Sequence, residues 1–313
     1  MSRIHEALQR AYLERGKAPA SGELQVVEPP TTSSFPPVTS GFEEPPIVRA
    51  EVALENVAEH PWNPSTNSLP TLGDRGMGVE QFRSLRSHVY QARYEAPLKT
   101  VLIASGMPAE GKSFIAANLA VSLARNSIHN ILLIDADLRR PTLHDLLGAP
   151  NKPGLSDYLA GKADLVDVMQ RARAPKSSDD GVAAKIANLT FIPSGGSCDN
   201  SSELVANRRM EELIASVSPN FDWIVIDAPP VLAVTDAVEL SRAADAVLLV
   251  ARGASTPYQV AQRTKTAFGT ARILGFVLNA VKEAPGKKSY NYNYNYYYHA
   301  DPEAGVREVP KKS

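Results

Sequence analysis

The chain has 313 residues, a formal net charge of −1 and a single cysteine. A nearly neutral chain has no overall attraction to nucleic acid or to an anionic membrane, so we expect no nucleic-acid partner. The single Cys198 excludes an internal disulfide and fits a reduced, cytoplasmic location. No apolar run is long enough to span a bilayer, and the composition therefore predicts a soluble protein.

The first 77 residues differ in composition from the rest. Residues 2–15 predict a short helix, because Ile4, Leu8 and Tyr12 lie on one stripe at intervals of four residues. Its plain interpretation is a helix docked on its own core. Residues 16–77 are rich in Pro and polar residues and have no helical or strand period, which predicts a disordered linker.

The folded core is predicted over residues 78–284, followed by a low-complexity tail over 285–313. An amphipathic helix is expected at 79–94, an apolar strand at 99–105 and a buried helix at 112–125. Further strands are expected at 130–135, 189–193, 223–227, 246–251 and 274–279, further helices at 203–217, 236–243 and 257–268, and a surface loop at 171–185. This alternation predicts an α/β fold, a doubly wound, mostly parallel sheet with helices on both faces.

The loop between the first core strand and the next helix fits the pattern G-x-x-x-x-G-K-[ST] of a P-loop NTPase. Its glycines let backbone N–H groups turn towards a phosphate, and the following helix directs its positive end at the same anion. Lys112 would neutralise phosphate charge and Ser113 would bind Mg²⁺. The alternative is a glycine-containing turn without a ligand. The residues predicted to contact the nucleotide are Gly106, Met107, Pro108, Ala109, Glu110, Gly111, Lys112, Ser113, Phe114 and, at the adenine, Asn279.

Three aspartates follow two of the predicted strands. Asp135 and Asp137 are two residues apart, so they are expected on one face at the strand end, where ligands bind in open α/β sheets. Asp227 ends another apolar run and is typical of a Walker B residue that holds Mg²⁺. One aspartate after a strand is often only a helix cap. Three of them beside a phosphate loop favour a catalytic metal site.

These three motifs together resemble the bacterial tyrosine kinases of capsule and exopolysaccharide synthesis, in their stand-alone cytoplasmic form. Residues 134–141, Ile-Asp-Ala-Asp-Leu-Arg-Arg-Pro, resemble the family's additional Walker box, and residues 226–230 resemble its Ile-Asp-x-Pro-Pro ending. Residues 200–204 with Arg209 and Met210 resemble its Asn-Pro-Ser-Glu-Leu…Arg-Met segment.

A charged helix pattern extends the resemblance. Glu80, Arg83 and Arg86 match the Glu-x₂-Arg-x₂-Arg helix that joins subunits of the family into a ring, although a solvated helix face explains the same charges. Two residues depart from the family pattern. Ala109 stands where glycine is usual, which costs backbone freedom if that position needs a positive φ. Phe114 replaces the usual threonine.

The tail contains a tyrosine cluster. Six of the eleven tyrosines lie within nine residues, at Tyr290, Tyr292, Tyr294, Tyr296, Tyr297 and Tyr298. A sticky disordered tail is the simpler interpretation. Beside a P-loop, the cluster resembles the phosphoacceptor segment of the same kinases.

The resemblance implies an ATP- and Mg²⁺-dependent autokinase that phosphorylates this cluster between subunits and regulates polysaccharide synthesis and export. Lys112, Asp135, Asp137 and Asp227 would be catalytic, with Asp135 as the base and with Ser113, Asp137 and Asp227 at the metal. The implied partners are other copies in a ring, a membrane polysaccharide co-polymerase that recruits and activates the chain at the inner face of the plasma membrane, and a cognate tyrosine phosphatase.

Two other functions stay open at this point. One is a partition or septum-positioning ATPase switch, although the loop lacks the early lysine that those proteins share. The other is a non-catalytic ATP-binding scaffold, against which the intact polar residues of the motifs count.

Overall fold

The computed structural model describes residues 53–125, 128–173, 182–196 and 201–281. The helix predicted over residues 2–15, Cys198, Asn200 and the tyrosine cluster lie outside these residues. Within the described ranges, no helix combines the length and the apolar character needed to cross a bilayer.

An eight-stranded sheet forms the centre of the fold. In spatial order its strands are β1 (Ala58–His60), β4 (Gln170–Ala172), β5 (Leu189–Ile192), β3 (Ile131–Asp135), β6 (Trp223–Asp227), β2 (Thr100–Ser105), β7 (Ala246–Arg252) and β8 (Ile273–Asn279). Neighbouring strands are parallel except for β4 and β5, which are antiparallel. The predicted α/β class with a mostly parallel sheet is confirmed.

Helices connect the strands. They are α1 (Met77–Glu95), α2 (Lys112–Ala124), α3 (Leu143–Leu147), α4 (Leu155–Leu159), α5 (Val182–Lys185), α6 (Ser201–Ala206), α7 (Arg209–Val217), α8 (Asp236–Leu240) and α9 (Tyr258–Ala267). Single 3₁₀ turns lie at Leu54–Asn56, Pro70–Leu72 and Ser241–Ala243.

The central strands β2, β3 and β6 are buried on both faces, which explains their nearly continuous apolar sequences. Alternate residues of β2 point to opposite faces. Leu102 belongs to a hydrophobic cluster with α4 and α7, whereas Val101 and Ile103 belong to a second cluster with α1 and α2. The sheet is therefore held between two helical layers, and the carboxyl ends of its strands remain available for a site.

Residues 53–76, which we call the N-terminal strap, are ordered against the core. Leu69 and Leu72 are buried in the cluster of α1 and α2. Thr71 donates hydrogen bonds to Asn118 Oδ1 from its backbone N–H, at 3.3 Å, and from its hydroxyl, at 2.8 Å. Arg125 donates to the Thr71 carbonyl at 2.7 Å. The prediction of a disordered linker over residues 16–77 is therefore wrong from residue 53 onwards. The proline-rich composition gave no sign that this segment contains two buried leucines and the strand β1.

Two further expectations about elements need correction. The surface loop predicted at 171–185 contains the end of β4 and all of α5, since polar β4 gains its order by pairing with β1 and β5. The single helix predicted at 203–217 is divided into α6 and α7. Short helices α3 and α4 were not predicted.

Candidate active site

The loop between β2 and α2 lies against its neighbours so closely that two positions require glycine. A Cβ atom at Gly106 would lie 2.2 Å from Thr264 Oγ1, and one at Gly111 would lie 2.0 Å from Asn279 Nδ2. Gly111 also has a φ of 94°, in the left-handed region. The loop can therefore turn its backbone inward at the start of α2, as a phosphate cradle requires.

Ala109 adopts a conformation that favours glycine. Its φ is 62°, so the position does have the positive φ at which the glycine of the family pattern avoids strain. A non-glycine residue in this region costs on the order of 1 kcal/mol. Arg252 Nη1 donates to the Ala109 carbonyl at 3.1 Å and helps to hold this strained peptide.

Glu110 connects the loop to the ends of β7 and β8. Its buried carboxylate accepts a hydrogen bond from the Met107 N–H at 2.8 Å and another from the Thr256 hydroxyl. The Asn279 side-chain amide donates to the Glu110 carbonyl at 2.9 Å. Sequence reasoning missed Arg252 and Thr256, whose position at or just after the end of the strand β7 was the only available signal. The predicted contact of Asn279 with adenine stays a prediction, since its described partner is the loop itself.

Four charged side chains converge below this loop, at the carboxyl ends of β3 and β6. Asp135 and Asp227 are register partners on these adjacent strands. Lys112 Nζ lies 2.8 Å from Asp137 Oδ2 and 3.7 Å from Asp227 Oδ2. The structure thus brings together the lysine and the three aspartates that the motifs singled out.

Burial controls the charge state of this group. It raises the pKa of Asp135 well above its usual value, and the neighbouring Asp227 adds to this effect. It also raises the pKa of Asp227 to about 6, against the opposing charge of Lys112 and the nearby Ser113 hydroxyl. For Lys112 burial alone would lower the pKa, but Asp227 and Asp137 outweigh it and hold that pKa above its usual value.

Backbone groups fix the orientation of two of the carboxylates. Asp135 accepts hydrogen bonds from the Leu143 N–H at 3.1 Å and from the Asp137 N–H at 3.3 Å. Asp137 Oδ1 accepts from the Arg140 N–H at 3.0 Å, which leaves its other oxygen directed at Lys112. The turn after β3 therefore presents both aspartates to the loop.

The residues present fit a nucleotide with Mg²⁺. Both carboxylate oxygens of Asp227 are buried without a hydrogen-bond partner among the described residues. Three carboxylates face one ammonium group, an excess that a divalent cation would compensate. No cluster of three or more His, Cys, Asp or Glu in the described ranges could hold a metal by itself. Mg²⁺ usually takes one or two carboxylates together with waters and substrate phosphates, and Asp137 and Asp227 supply two carboxylates beside Lys112.

The segment that resembles the family's Asn-Pro-Ser-Glu-Leu pattern is joined to the second motif through Asp236. This buried carboxylate accepts hydrogen bonds from the hydroxyls of Ser201 at 3.2 Å and Ser202 at 2.6 Å. Arg139 Nε donates to it at 3.3 Å. The start of α6 is thereby fixed beside the residues that follow β3.

Two other groups of predicted residues have a different environment. Phe114 is half-buried and contacts Phe82 edge-on, with ring centroids 5.8 Å apart, so the departure from threonine adds a contact between α1 and α2. Glu80 and Arg83 form an ion pair of 2.5 Å on α1, and Arg86 Nη1 donates to the Ser122 carbonyl at 2.6 Å. The role of the three α1 charges between subunits stays a prediction.

Comparisons with known proteins place this arrangement in a family. A family model described as an AAA domain matches residues 99–260. The tyrosine-protein kinase YwqD of Bacillus subtilis is 34% identical over 218 residues, which are 69% of this chain and 86% of that protein. The tyrosine-protein kinase wzc of Salmonella typhimurium is 35% identical over 217 residues, 68% of this chain, and the match spans only 28% of that longer protein.

A solved structure agrees with the sequence relatives. The kinase domain of the Escherichia coli tyrosine kinase ETK superposes with a TM-score of 0.58 and 35% identity, over 68% of this chain and 80% of that one. The relative of similar size is matched over most of its length, and the family model covers the phosphate loop and both aspartate-bearing strands. The chain therefore belongs to the bacterial tyrosine-protein kinase family.

Proposed function

We propose that the chain is an ATP-dependent protein tyrosine autokinase. The observation that carries this proposal is the convergence of Lys112, Asp135, Asp137 and Asp227 beneath the phosphate loop. These four side chains provide a cation that can neutralise phosphate charge, candidate ligands for a metal and a buried carboxylate that can accept a proton. The family membership supports tyrosine as the acceptor.

In the proposed reaction, the γ-phosphoryl group of ATP passes to a tyrosine oxygen, with ADP as the leaving group. Tyrosine has a pKa of about 10, so a base that accepts its proton helps at neutral pH. Asp135 is that base, since burial and Asp227 raise its pKa and make its carboxylate a stronger base than a free one. Lys112 and the backbone N–H groups of the loop bind and orient the phosphates.

We propose that Ser113, Asp137 and Asp227 would hold Mg²⁺, which would neutralise phosphate charge. The Asp227 oxygens support its part in this site, because they are buried without a direct hydrogen bond among the described residues and the Lys112 ammonium group lies 3.7 Å from Oδ2. Lys112 Nζ lies 3.2 Å from the Ser113 hydroxyl, so both groups occupy the same end of α2. In the nucleotide-free state Lys112 thus compensates part of the negative charge that the cation would face.

The proposed acceptors are the six tyrosines at positions 290–298, in a tail over residues 285–313. Transfer takes place between subunits of a ring-like assembly that Glu80, Arg83 and Arg86 help to form. Each phosphate adds about −1.5 to −2 charge, so a multiply phosphorylated tail should repel its neighbours and favour disassembly.

The proposed biological role is the regulation of exopolysaccharide or capsule synthesis and export. We infer that the chain works in the cytoplasm, at the inner face of the plasma membrane. A membrane co-polymerase protein would recruit and activate it, and a tyrosine phosphatase would reverse its modification. The kinase names of the curated relatives support the activity, whereas the partners rest on the family resemblance alone.

Labelled ATP provides the test. Purified full-length protein should acquire label in phosphotyrosine, and peptide mapping should place the label within residues 290–298. Hydrolysis of ATP without any phosphotyrosine would instead indicate a partition-type switch. Binding of ATP without either reaction would indicate a scaffold.

A further inference from the structure

A polar cavity lies between α1, the end of α2 and the N-terminal strap. Its volume is about 240 Å³. Its lining consists of Thr71, Val79, Arg83, Arg86, Ser122 and Arg125. Three of these six side chains are arginines and none is a carboxylate. Such a lining is suited to an anion.

Two of the three arginines are held in place by backbone carbonyls. Arg86 Nη1 donates to Ser122 O at 2.6 Å, and Arg125 Nη1 donates to Thr71 O at 2.7 Å and to Gly73 O. A guanidinium has five N–H donors, and among the described residues Arg86 uses only one nitrogen for a hydrogen bond. Arg86 is therefore a pre-positioned donor with capacity left for a ligand.

The charge around the cavity is positive as well. Asp74 is paired with Arg125 at 2.7 Å, and it also contacts Lys185 at 3.0 Å. Glu80 is paired with Arg83. The three lining arginines and Lys185 thus face two carboxylates, and Lys185 and both carboxylates lie outside the lining of the cavity. An entering dianion would bring the local charge close to balance.

We propose that this cavity binds a phosphate monoester dianion, and specifically a phosphotyrosine side chain from the C-terminal tail of the same or another copy. Arginine forks match the oxygens of a phosphate and form charge-assisted hydrogen bonds with them. The occupant rests on the proposed function, since phosphotyrosine at positions 290–298 is the phosphate monoester which that activity would produce. A phosphotyrosine at about pH 7 carries close to two negative charges.

This assignment gives the phosphorylated tail a specific route to regulation. Arg83 and Arg86 are two of the three residues proposed to join subunits. A phosphotyrosine bound to them would compete with a neighbouring subunit for the same guanidinium groups. Phosphorylation would then act on assembly by occupying a site, in addition to general repulsion.

The test uses a synthetic peptide of residues 288–299 with phosphotyrosine at position 294, labelled for fluorescence polarisation. The protein is the full-length chain, treated with phosphatase and free of nucleotide. We expect the phosphopeptide to bind at least 10-fold more tightly than the unphosphorylated peptide. Arg83→Gln and Arg86→Gln should each weaken binding by about 10-fold, the loss of a charge-assisted hydrogen bond. Arg83→Lys keeps the positive charge but lacks the forked N–H donors of a guanidinium, so it should retain only part of the affinity that Arg83→Gln loses.

The matched control is Arg75→Gln, which removes an exposed charge of the N-terminal strap that does not line the cavity. It should leave binding unchanged. Equal binding of both peptides, or equal losses for Arg75→Gln and Arg83→Gln, would overturn the proposal. Inorganic phosphate that displaces the peptide at equal concentration would overturn the choice of phosphotyrosine. Because the peptide is phosphorylated chemically, an inactive kinase would leave this result intact.

Discussion

Asp135 and Asp227 lie directly opposite each other on the neighbouring strands β3 and β6, and both side chains are fully buried. Two carboxylates in adjacent buried positions are costly to ionise together, and their repulsion raises the pKa of one or both of them. Lys112 lies between Asp227 and Asp137 and is the cation that offsets this cost. The charge state of the site therefore depends on a lysine from the phosphate loop.

Replacing Lys112 with Met should reduce phosphotyrosine formation by about 100- to 1000-fold, as for the loss of one transition-state donor. The fold should persist, because Met keeps most of the volume. Incorporation of label and circular dichroism provide the two measurements. Lys265→Met, an exposed lysine on α9, is the control and should retain full activity. An active Lys112→Met protein would contradict the assignment of the loop.

Replacing Asp135 with Asn should lower kcat by about 100-fold or more, while the affinity for ATP changes little, since the change removes a base and keeps the shape. Asp227→Asn is the comparison. It should weaken Mg²⁺-dependent nucleotide binding as well as the rate. Calorimetric titration with ATP and Mg²⁺ separates the two variants. An equally large loss of ATP affinity in Asp135→Asn would indicate that Asp135 is a metal ligand and not the base.

Ala109→Gly should stabilise the protein by up to about 1 kcal/mol, because glycine accepts the φ of 62° without strain. Part of this gain is lost to the greater entropy of glycine in the unfolded chain. Urea unfolding gives the change in the free energy of unfolding. The control Ala261→Gly lies inside α9 and should destabilise by about 1 kcal/mol. Equal destabilisation by both substitutions would show that Ala109 is not strained.

A chain that lacks residues 1–72 should unfold at a markedly lower temperature than a chain that lacks residues 1–52. The longer deletion removes Leu69 and Leu72 from the core and leaves Asn118 without Thr71. Thermal unfolding followed by circular dichroism compares the two chains. Equal unfolding temperatures for the two deletions would show that the strap contributes nothing to stability.

A point substitution tests the same strap within the full chain. Leu69→Ala should cost about 2–5 kcal/mol of unfolding free energy, because it leaves a cavity in the core. Leu54→Ala is the control, since this leucine of the strap is only partly buried and its truncation should cost less.

Combined replacement of Glu80, Arg83 and Arg86 by Ala should give monomers in sedimentation velocity and weaken transfer between subunits. The control replaces Arg263 and Lys265, two exposed charges on α9. This second variant should retain the oligomer of the unmodified chain. Unchanged sedimentation of the triple variant would indicate that the three charges of α1 form only a solvated helix face.

Local patterns predicted the central strands and the phosphate loop, because apolar strands that are buried on both faces and a glycine–lysine loop have strong signals in the sequence. The convergence of Asp135, Asp137 and Asp227 followed from the rule that parallel strands end at one edge of a sheet. The strap was missed because its order depends on contacts with Asn118 and Arg125, which are 47 and 54 residues from Thr71. Composition carries no signal for such tertiary contacts.

The remaining positions were missed for a similar reason. Thr256 and Arg252 hold the phosphate loop, but they are separated from their partners in it by 146 and 143 residues and resemble ordinary loop residues. The strand β4 has a polar sequence and owes its order to its neighbours in the sheet. Only the departure of Ala109 from the family pattern pointed, from sequence alone, to a specific backbone angle.

The contact of Asn279 with the phosphate loop has a kinetic consequence. Asn279 ends β8 and touches Glu110, and the last described residue, Val281, follows two positions later. Tyr290 comes nine residues after Val281, so covalent geometry keeps it within about 30 Å of that point in any conformation. This tether gives the chain's own tyrosines an effective concentration of millimolar order near their own site. Below the concentration at which rings assemble, transfer between subunits must compete with that first-order path, and the order of the initial rate in protein concentration, between one and two, then measures the share of each.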